Sequence, residues 1–256
     1  GCRIIDSPRE RLIAIITNNF VPCNGRFPTM LSIITLFLIG GAGGLTGSLL
    51  GACILVALIV LGVLMTFLVS RLLSATILKG VPSSFTLEMP PYRRPQILKV
   101  IVRSIVDRTL KVLGRAVISA APAGLLIWVL ANVPLSGQTT LLTALTGFLD
   151  PFARRLGMDG CILTGFLLGL PANEIVVPII IMTYMARGSL LEVEGVQLMQ
   201  LFTANGWTWI TAVSTLLFSL MHWPCATTLL TIRKESGSLK WTLLSFLVPT
   251  VCGIIL

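Results

Sequence analysis

The chain has 256 residues, of which 55% are hydrophobic and 11% charged, and it carries a formal net charge of +9. Soluble domains carry about 25% charged residues, so this composition excludes a water-soluble globule. The positive charge does not indicate a nucleic-acid partner, because it is concentrated in one stretch: Arg71 to Arg115 holds nine basic residues against Glu88 and Asp107, a balance of +7.

The apolar residues fall in long runs. Residues 27–70, 116–149 and 195–232 contain no Asp, Glu, Lys or Arg. A bilayer core about 30 Å thick takes about 20 helical residues, so each run holds whole spans. Transmembrane barrels show alternating segments of about ten residues, which these runs do not. The fold class is therefore all-α, a polytopic transmembrane helical bundle with Pro-broken helices and amphipathic interfacial helices. Membrane lipid is its first partner. Basic residues beside spans mark cytoplasmic loops, which places Arg71 to Arg115 on the cytoplasmic face near anionic headgroups.

In chain order, Ser7, Pro8 and Glu10 form a helix start, with Ser7 as N-cap and Pro8 at the first helical position. An apolar helix follows from Leu12 to about Phe20. Val21-Pro22-Cys23-Asn24-Gly25-Arg26 interrupts it, and a helix resumes from Phe27 or Pro28 to Ile39, leaving Arg26 near mid-membrane. Gly40, Gly41, Gly43 and Gly44 make a turn before a clean span over Ser48 to Ser70. Lys79 to Pro95 reads as a loop, and from Gln96 a helix carries Lys99, Arg103, Asp107, Lys111 and Arg115 four apart. That amphipathic helix feeds a span from about Ala116 to Val133.

Thr139 to Leu156 reads as a second surface helix. The apolar stretch Gly160 to Ala186 is broken at Gly169-Leu170-Pro171-Ala172-Asn173-Glu174. Gly195 to Ile232 is too long for one span and is interrupted at His222-Trp223-Pro224-Cys225. A basic loop, Arg233 to Lys240, leads into a last apolar segment from Trp241 that ends after 16 residues. That short final segment, with no initiating Met at Gly1, reads as part of a longer protein. Three regions are expected: 1–78 and 116–256 as two gate-like membrane regions, the second truncated, with 79–115 between them as cytoplasmic loop and amphipathic helix.

The breaks share one design, helix, Pro-containing interruption, helix. Unwound backbone at membrane depth is tolerated where protein or a water-filled cavity satisfies it, and in transporters such breaks supply the ion site. Two breaks contain Pro-Cys, so Cys23 and Cys225 are candidate ligands for a soft or borderline divalent metal. Glu174, the acid centred in an apolar stretch, is a candidate cation contact helped by the Asn173 amide; the alternative is a structural pair with Arg26. His222 reads either as a ligand or as a packed polar residue, and Asn205, Trp207 and Trp209 as an interfacial belt. Cys53, Cys161 and Cys252 read as packing residues. The sequence has no C-x-x-C pair, no G-x-x-x-x-G-K-[ST] phosphate loop and no H-E-x-x-H, and no nucleophile and base pair marks an enzyme.

Several long segments resemble the membrane domain of FeoB-type ferrous iron transporters. They are Asp6-Ser7-Pro8-Arg9-Glu10-Arg11-Leu12, Asn19-Phe20-Val21-Pro22-Cys23-Asn24-Gly25-Arg26-Phe27-Pro28, Leu87-Glu88-Met89-Pro90-Pro91-Tyr92-Arg93, Trp223-Pro224-Cys225-Ala226-Thr227-Thr228 and Ile232 to Trp241. The resemblance implies a permease of the bacterial cytoplasmic membrane with two gate-like regions, Fe2+ as the transported ion, and Pro-Cys segments, here Cys23 and Cys225, as iron contacts. It also implies an N-terminal GTP-binding domain and earlier membrane helices that this chain lacks, so GTP would act only through that domain. No permanently bound cofactor is implied. Small accessory proteins and a homo-oligomer are further expected partners. The alternative is a gate-type regulatory or nucleoside-recognition membrane module that binds without transporting.

Overall fold

A computed structural model describes residues 2, 5, 7–39, 44–80, 96–136, 139–185 and 195–256. Three sequence expectations lie outside these residues: the turn glycines Gly40, Gly41 and Gly43, the loop 81–95 with Glu88, and the side chains of Asp107, Lys111 and Arg115.

Helix α1 spans Pro8–Thr17, with Pro8 in its first turn and Ser7 Oγ accepting the Glu10 N–H at 3.4 Å. A 3-10 turn, Asn18–Phe20, closes it, and Pro22 cannot supply the N–H that would continue it. Helix α2, Phe27–Ile33, runs on as a π-helical turn, Ile34–Leu38. Helix α3, Leu45–Ala75, has 31 residues. At 1.5 Å per residue it is about 46 Å long, enough to cross a bilayer with tilt. Its buried residues Gly47, Gly51, Leu58, Gly62, Val69 and Leu73 recur at spacings of four and seven, one face of a helix, while Leu64, Phe67 and Leu68 on other faces are exposed.

The helix from Gln96 is continuous with the span after it: α4, Ile97–Arg103, a π stretch, Ser104–Leu110, and α5, Lys111–Asn132. A short antiparallel ribbon, β1 (Pro134–Ser136) with β2 (Thr139–Thr140), then intervenes where the sequence reading placed the start of a helix. Thr140 is instead the N-cap of α6, Leu141–Arg155, accepting the Thr143 N–H at 3.3 Å. Pro151 sits inside α6, and Arg154 pairs with Asp150 at 2.7 Å.

Helix α7, Gly160–Leu168, is capped by Asp159, whose Oδ1 accepts the Ile162 N–H at 2.7 Å. A 3-10 turn, Asn173–Ile175, starts the return helix α8, Val176–Met185. The run 195–232 holds two interruptions where one was expected. Between α9, Gly195–Ala204, and α10, Trp209–Met221, the chain turns through Asn205 to Thr208 with Gly206 at φ +83°. The second is the expected one, at His222 to Cys225 before α11, Ala226–Ser236. Helix α12, Leu239–Ile255, closes the chain with Pro249 inside it.

Two helical stretches among the described residues are long and apolar enough to cross a membrane, Leu45–Ala75 and Trp209–Ser236, and four shorter apolar helices accompany them. The chain is an all-α helical bundle. One core unites its two ends: Ile16, Phe20, Met30 and Ile33 pack with Phe166, Leu216, Phe218 and Met221.

Candidate functional site

Three unwound segments meet beside this core: the first break (Val21 to Arg26), the second (Gly169 to Asn173) and the third (His222 to Cys225); Arg26, Asn173 and His222 are buried there, while Cys23 is exposed. Arg26 joins the first to the third. Its Nη1 donates to the carbonyls of Asn19 (2.9 Å) and Leu220 (2.8 Å), and its Nη2 to those of His222 (2.8 Å) and Trp223 (3.4 Å). The third break is tied to the second by the Ala226 N–H, which donates to the Leu170 carbonyl at 2.7 Å. The second returns to the first through Asn173, whose Nδ2 lies 3.9 Å from Cys23 Sγ. A Cβ placed on Gly25 would lie 3.3 Å from Glu174 Cγ and 3.5 Å from Asn173 Cβ, so backbone of the first break rests directly on the second.

Proline chemistry explains why these contacts form. A proline removes the N–H that would bond the carbonyl four residues earlier. For Pro224 that carbonyl is Leu220, and Arg26 takes it. For Pro249 it is Ser245, and Asn19 Nδ2 takes it at 3.4 Å while also donating to Ile16 at 3.2 Å. For Pro171 the corresponding carbonyl is that of Leu167. The Leu167 carbonyl accepts the N–H groups of Gly169 and Leu170 locally, and it is Leu170 whose carbonyl reaches across to another break. The alternative reading of Glu174, a pair with Arg26, is not realised: Arg26 is 3% exposed and bound to carbonyls, whereas Glu174 is exposed.

Of the four candidate contacts, Cys23 and Asn173 adjoin, and Glu174 lies beside them across Gly25. Cys225 sits at the N-cap of α11, with its Sγ 3.0 Å from Thr227 Oγ1 and 3.2 Å from Thr228 Oγ1. A thiolate at Cys225 would face the positive end of a helix and two hydroxyls able to donate to it.

His222 is buried among aromatic rings, 4.9 Å from Phe166 by ring centroids. Its Nδ1–H donates to the Ser219 carbonyl at 2.8 Å, which leaves Nε2 as an acceptor without a partner. Among the described residues the buried side-chain atoms without a hydrogen bond are Arg26 Nε, Thr29 Oγ1, Asn173 Oδ1, Ser219 Oγ, His222 Nε2 and Trp223 Nε1. Every one belongs to a break or lies within three residues of one. Buried polar atoms are otherwise almost always satisfied, so this concentration marks the meeting point as polar ground in an apolar bundle. No three His, Cys, Asp or Glu side chains among the described residues are grouped to hold a metal ion.

Sequence reasoning located the breaks and missed what fastens them. In the sequence Arg26 is only an alternative partner for Glu174, and nothing marks Asn19. The available signal was the proline at i+4 from Leu220 and from Ser245, which strands one carbonyl each. Of the expected aromatic belt, Trp209 is exposed, but Trp207 is buried, stacked on Phe202 at 4.3 Å and donating to Tyr184 Oη at 2.7 Å.

Two family models match in chain order. One is described as ferrous iron transport protein B C terminus and matches residues 55–108; the other, Gate, is described as nucleoside recognition and matches residues 113–239. The Fe(2+) transporter FeoB of Staphylococcus aureus (strain MSSA476) is 28% identical over 266 residues, which takes in 100% of this chain and 37% of the relative. That of Methanocaldococcus jannaschii is 27% identical over 274 residues, 99% of this chain and 38% of the relative. That of Campylobacter jejuni is 25% identical over 260 residues, 96% of this chain and 40% of the relative. The chain therefore spans well under half the length of these curated relatives. No solved structure matches it. With two adjoining family matches and relatives aligned along nearly its full extent, the chain is similar to the C-terminal part of the FeoB ferrous iron transporters.

Proposed function

We propose that this chain forms part of the path by which ferrous iron crosses the bacterial cytoplasmic membrane. The observation that carries the reading is the meeting of the three breaks, which sets Cys23 against Asn173, rests Gly25 on Glu174 and ties both Pro-Cys segments to one guanidinium. Fe2+ is a borderline cation that accepts thiolate and oxygen donors. Cys23 and Cys225 would supply sulfur, Asn173 Oδ1 a buried oxygen, and the exposed Glu174 carboxylate a first attraction for a cation approaching the breaks. Such a thin, mixed donor set suits an ion in transit, which must bind well enough to enter and weakly enough to leave. In this reading the chain is a transporter segment and not an enzyme. Residues 1–78 and 116–256 act as two gate-like membrane regions around a cytoplasmic 79–115. GTP acts through a separate N-terminal domain of the whole protein, and small accessory proteins and further copies of the chain are its partners.

The Gate match favours one competing reading, a module that recognises nucleosides without transporting. The relatives that align along the whole chain are named as Fe(2+) transporters, which supports transport instead. Ferrous iron uptake by the full-length protein, reconstituted in vesicles, tests the proposal. Cys23→Ser and Cys225→Ser should each lower uptake with normal insertion, and Cys53→Ser should leave it unchanged. Wild-type uptake by both of the first two variants would remove the thiols from the path. Saturable nucleoside binding without iron uptake would favour the competing reading.

A further inference from the structure

The buried Arg26 does more than its neighbours in the path require. Broken helices in transporters commonly coordinate cations through unwound backbone carbonyls. Here four carbonyls, of Asn19, Leu220, His222 and Trp223, converge on a charge that is already covalently in place. We propose that Arg26 is a resident, tethered cation: its guanidinium fills a carbonyl nest built by the turn before the first break (Asn19), the end of α10 (Leu220) and the third break (His222, Trp223), holds the two Pro-Cys segments in register and keeps small mobile cations out of that nest.

Three features support this. The guanidinium is buried, and among the described residues its hydrogen-bonding partners are all backbone carbonyls, so dipoles meet its charge there. The Leu220 carbonyl is open to it because Pro224 has no N–H to offer, so the nest is a product of the break itself. The planar fork also matches the number of acceptors, since Nη1 takes the Asn19 and Leu220 carbonyls and Nη2 those of His222 and Trp223, four bonds where a compact ammonium has three donors. Any cation arriving there meets a filled nest and a like charge; a borderline divalent ion can offset that repulsion by taking sulfur from Cys23 or Cys225, which a hard monovalent ion cannot. Arg26 is thus a positioning and specificity-determining residue. Only its effect on iron depends on the transport reading above; the nest itself does not.

The test uses the purified full-length protein with Arg26→Ala and Arg26→Lys. Arg26→Ala should lower the melting temperature. Millimolar guanidinium chloride should raise it again, and equal sodium chloride should not, because free guanidinium refills the vacated nest. In vesicles the same variant should take up ferrous iron about tenfold more slowly or worse, the effect of losing one charge-assisted hydrogen bond, and should leak sodium or potassium until guanidinium is added. Arg26→Lys should keep the charge, lose iron uptake and gain nothing from guanidinium. Should Arg26→Ala fail to accumulate, Arg26→Gln carries the same measurements. An Ala or Gln variant whose stability and leak ignore guanidinium overturns the proposal, as does an Arg26→Lys protein equal to the wild type in stability and uptake. Guanidinium-dependent stability with no iron uptake by any version would keep the nest and discard the transport reading.

Discussion

Gly62 lies where α3 passes the first break, and its missing side chain is what lets the two approach. A Cβ there would sit 2.5 Å from the Phe20 carbonyl oxygen and 3.5 Å from Leu220 Cδ1. Carbon to carbonyl-oxygen contacts normally begin at about 3.3 Å, so Gly62→Ala demands a movement of about 0.8 Å. The Phe20 carbonyl cannot simply yield, because the Phe20 ring is fully buried and Asn19, next to it, is fixed to both Ser245 and Arg26. Overpacking of this kind costs about 1–3 kcal/mol. Alanine offsets about 1 kcal/mol of that through its better helix propensity. Gly124→Ala in α5, where nothing lies within 4 Å of the added carbon, isolates the propensity term. Thermal unfolding of the two purified variants should therefore separate them by about 1–3 kcal/mol, with Gly62→Ala the less stable. Gly62→Ala should also transport iron more slowly, since displacing Phe20 disturbs the 2.9 Å bond from Arg26 to the Asn19 carbonyl. Equal melting temperatures and equal uptake for the two variants would refute the close-approach argument.

Three further outcomes are expected. Asn19→Ala should cost about 1 kcal/mol by stranding the Ser245 carbonyl, but much less in a Pro249→Ala background, where residue 249 regains an N–H for that carbonyl; a double-mutant cycle of melting free energies reads the coupling, and strict additivity counts against it. Tyr184→Phe should destabilise by about 1–3 kcal/mol, because the Trp207 Nε1–H, buried and bonded to Tyr184 Oη, loses its acceptor; an unchanged melting curve would show that another acceptor replaces it. A cysteine at the exposed Lys99 should react with a membrane-impermeant reagent in inverted vesicles and not in intact cells, as the basic excess around α4 requires; labelling in intact cells would reverse the orientation.

The sequence by itself determined the class of this protein and the location of its irregularities. Long uncharged runs cannot be dissolved in water, so composition alone imposed apolar helices. Pro22, Pro171 and Pro224 each remove an N–H among Gly, Asn or Cys neighbours that do not favour a helix, so the breaks could be marked from the sequence, although Pro151 and Pro249 sit inside continuous helices. Local chemistry likewise exposed the Ser7 cap, and the order of long motifs pointed to the family. What could not be read was anything that depends on which break faces which. Gly206 among polar and aromatic neighbours gave too slight a signal for the second interruption in 195–232. The ribbon before α6 depends on pairing between segments that no periodicity records. The sequence puts Arg26 and Glu174 both in apolar surroundings, so a pair between them stood as the alternative to Glu174 as a cation contact. Tertiary structure decided otherwise, because packing set the stranded Leu220 carbonyl and its neighbours against the guanidinium and left Glu174 exposed. A proline announces that a carbonyl will be free, but only the three-dimensional arrangement of the helices selects the donor that reaches it.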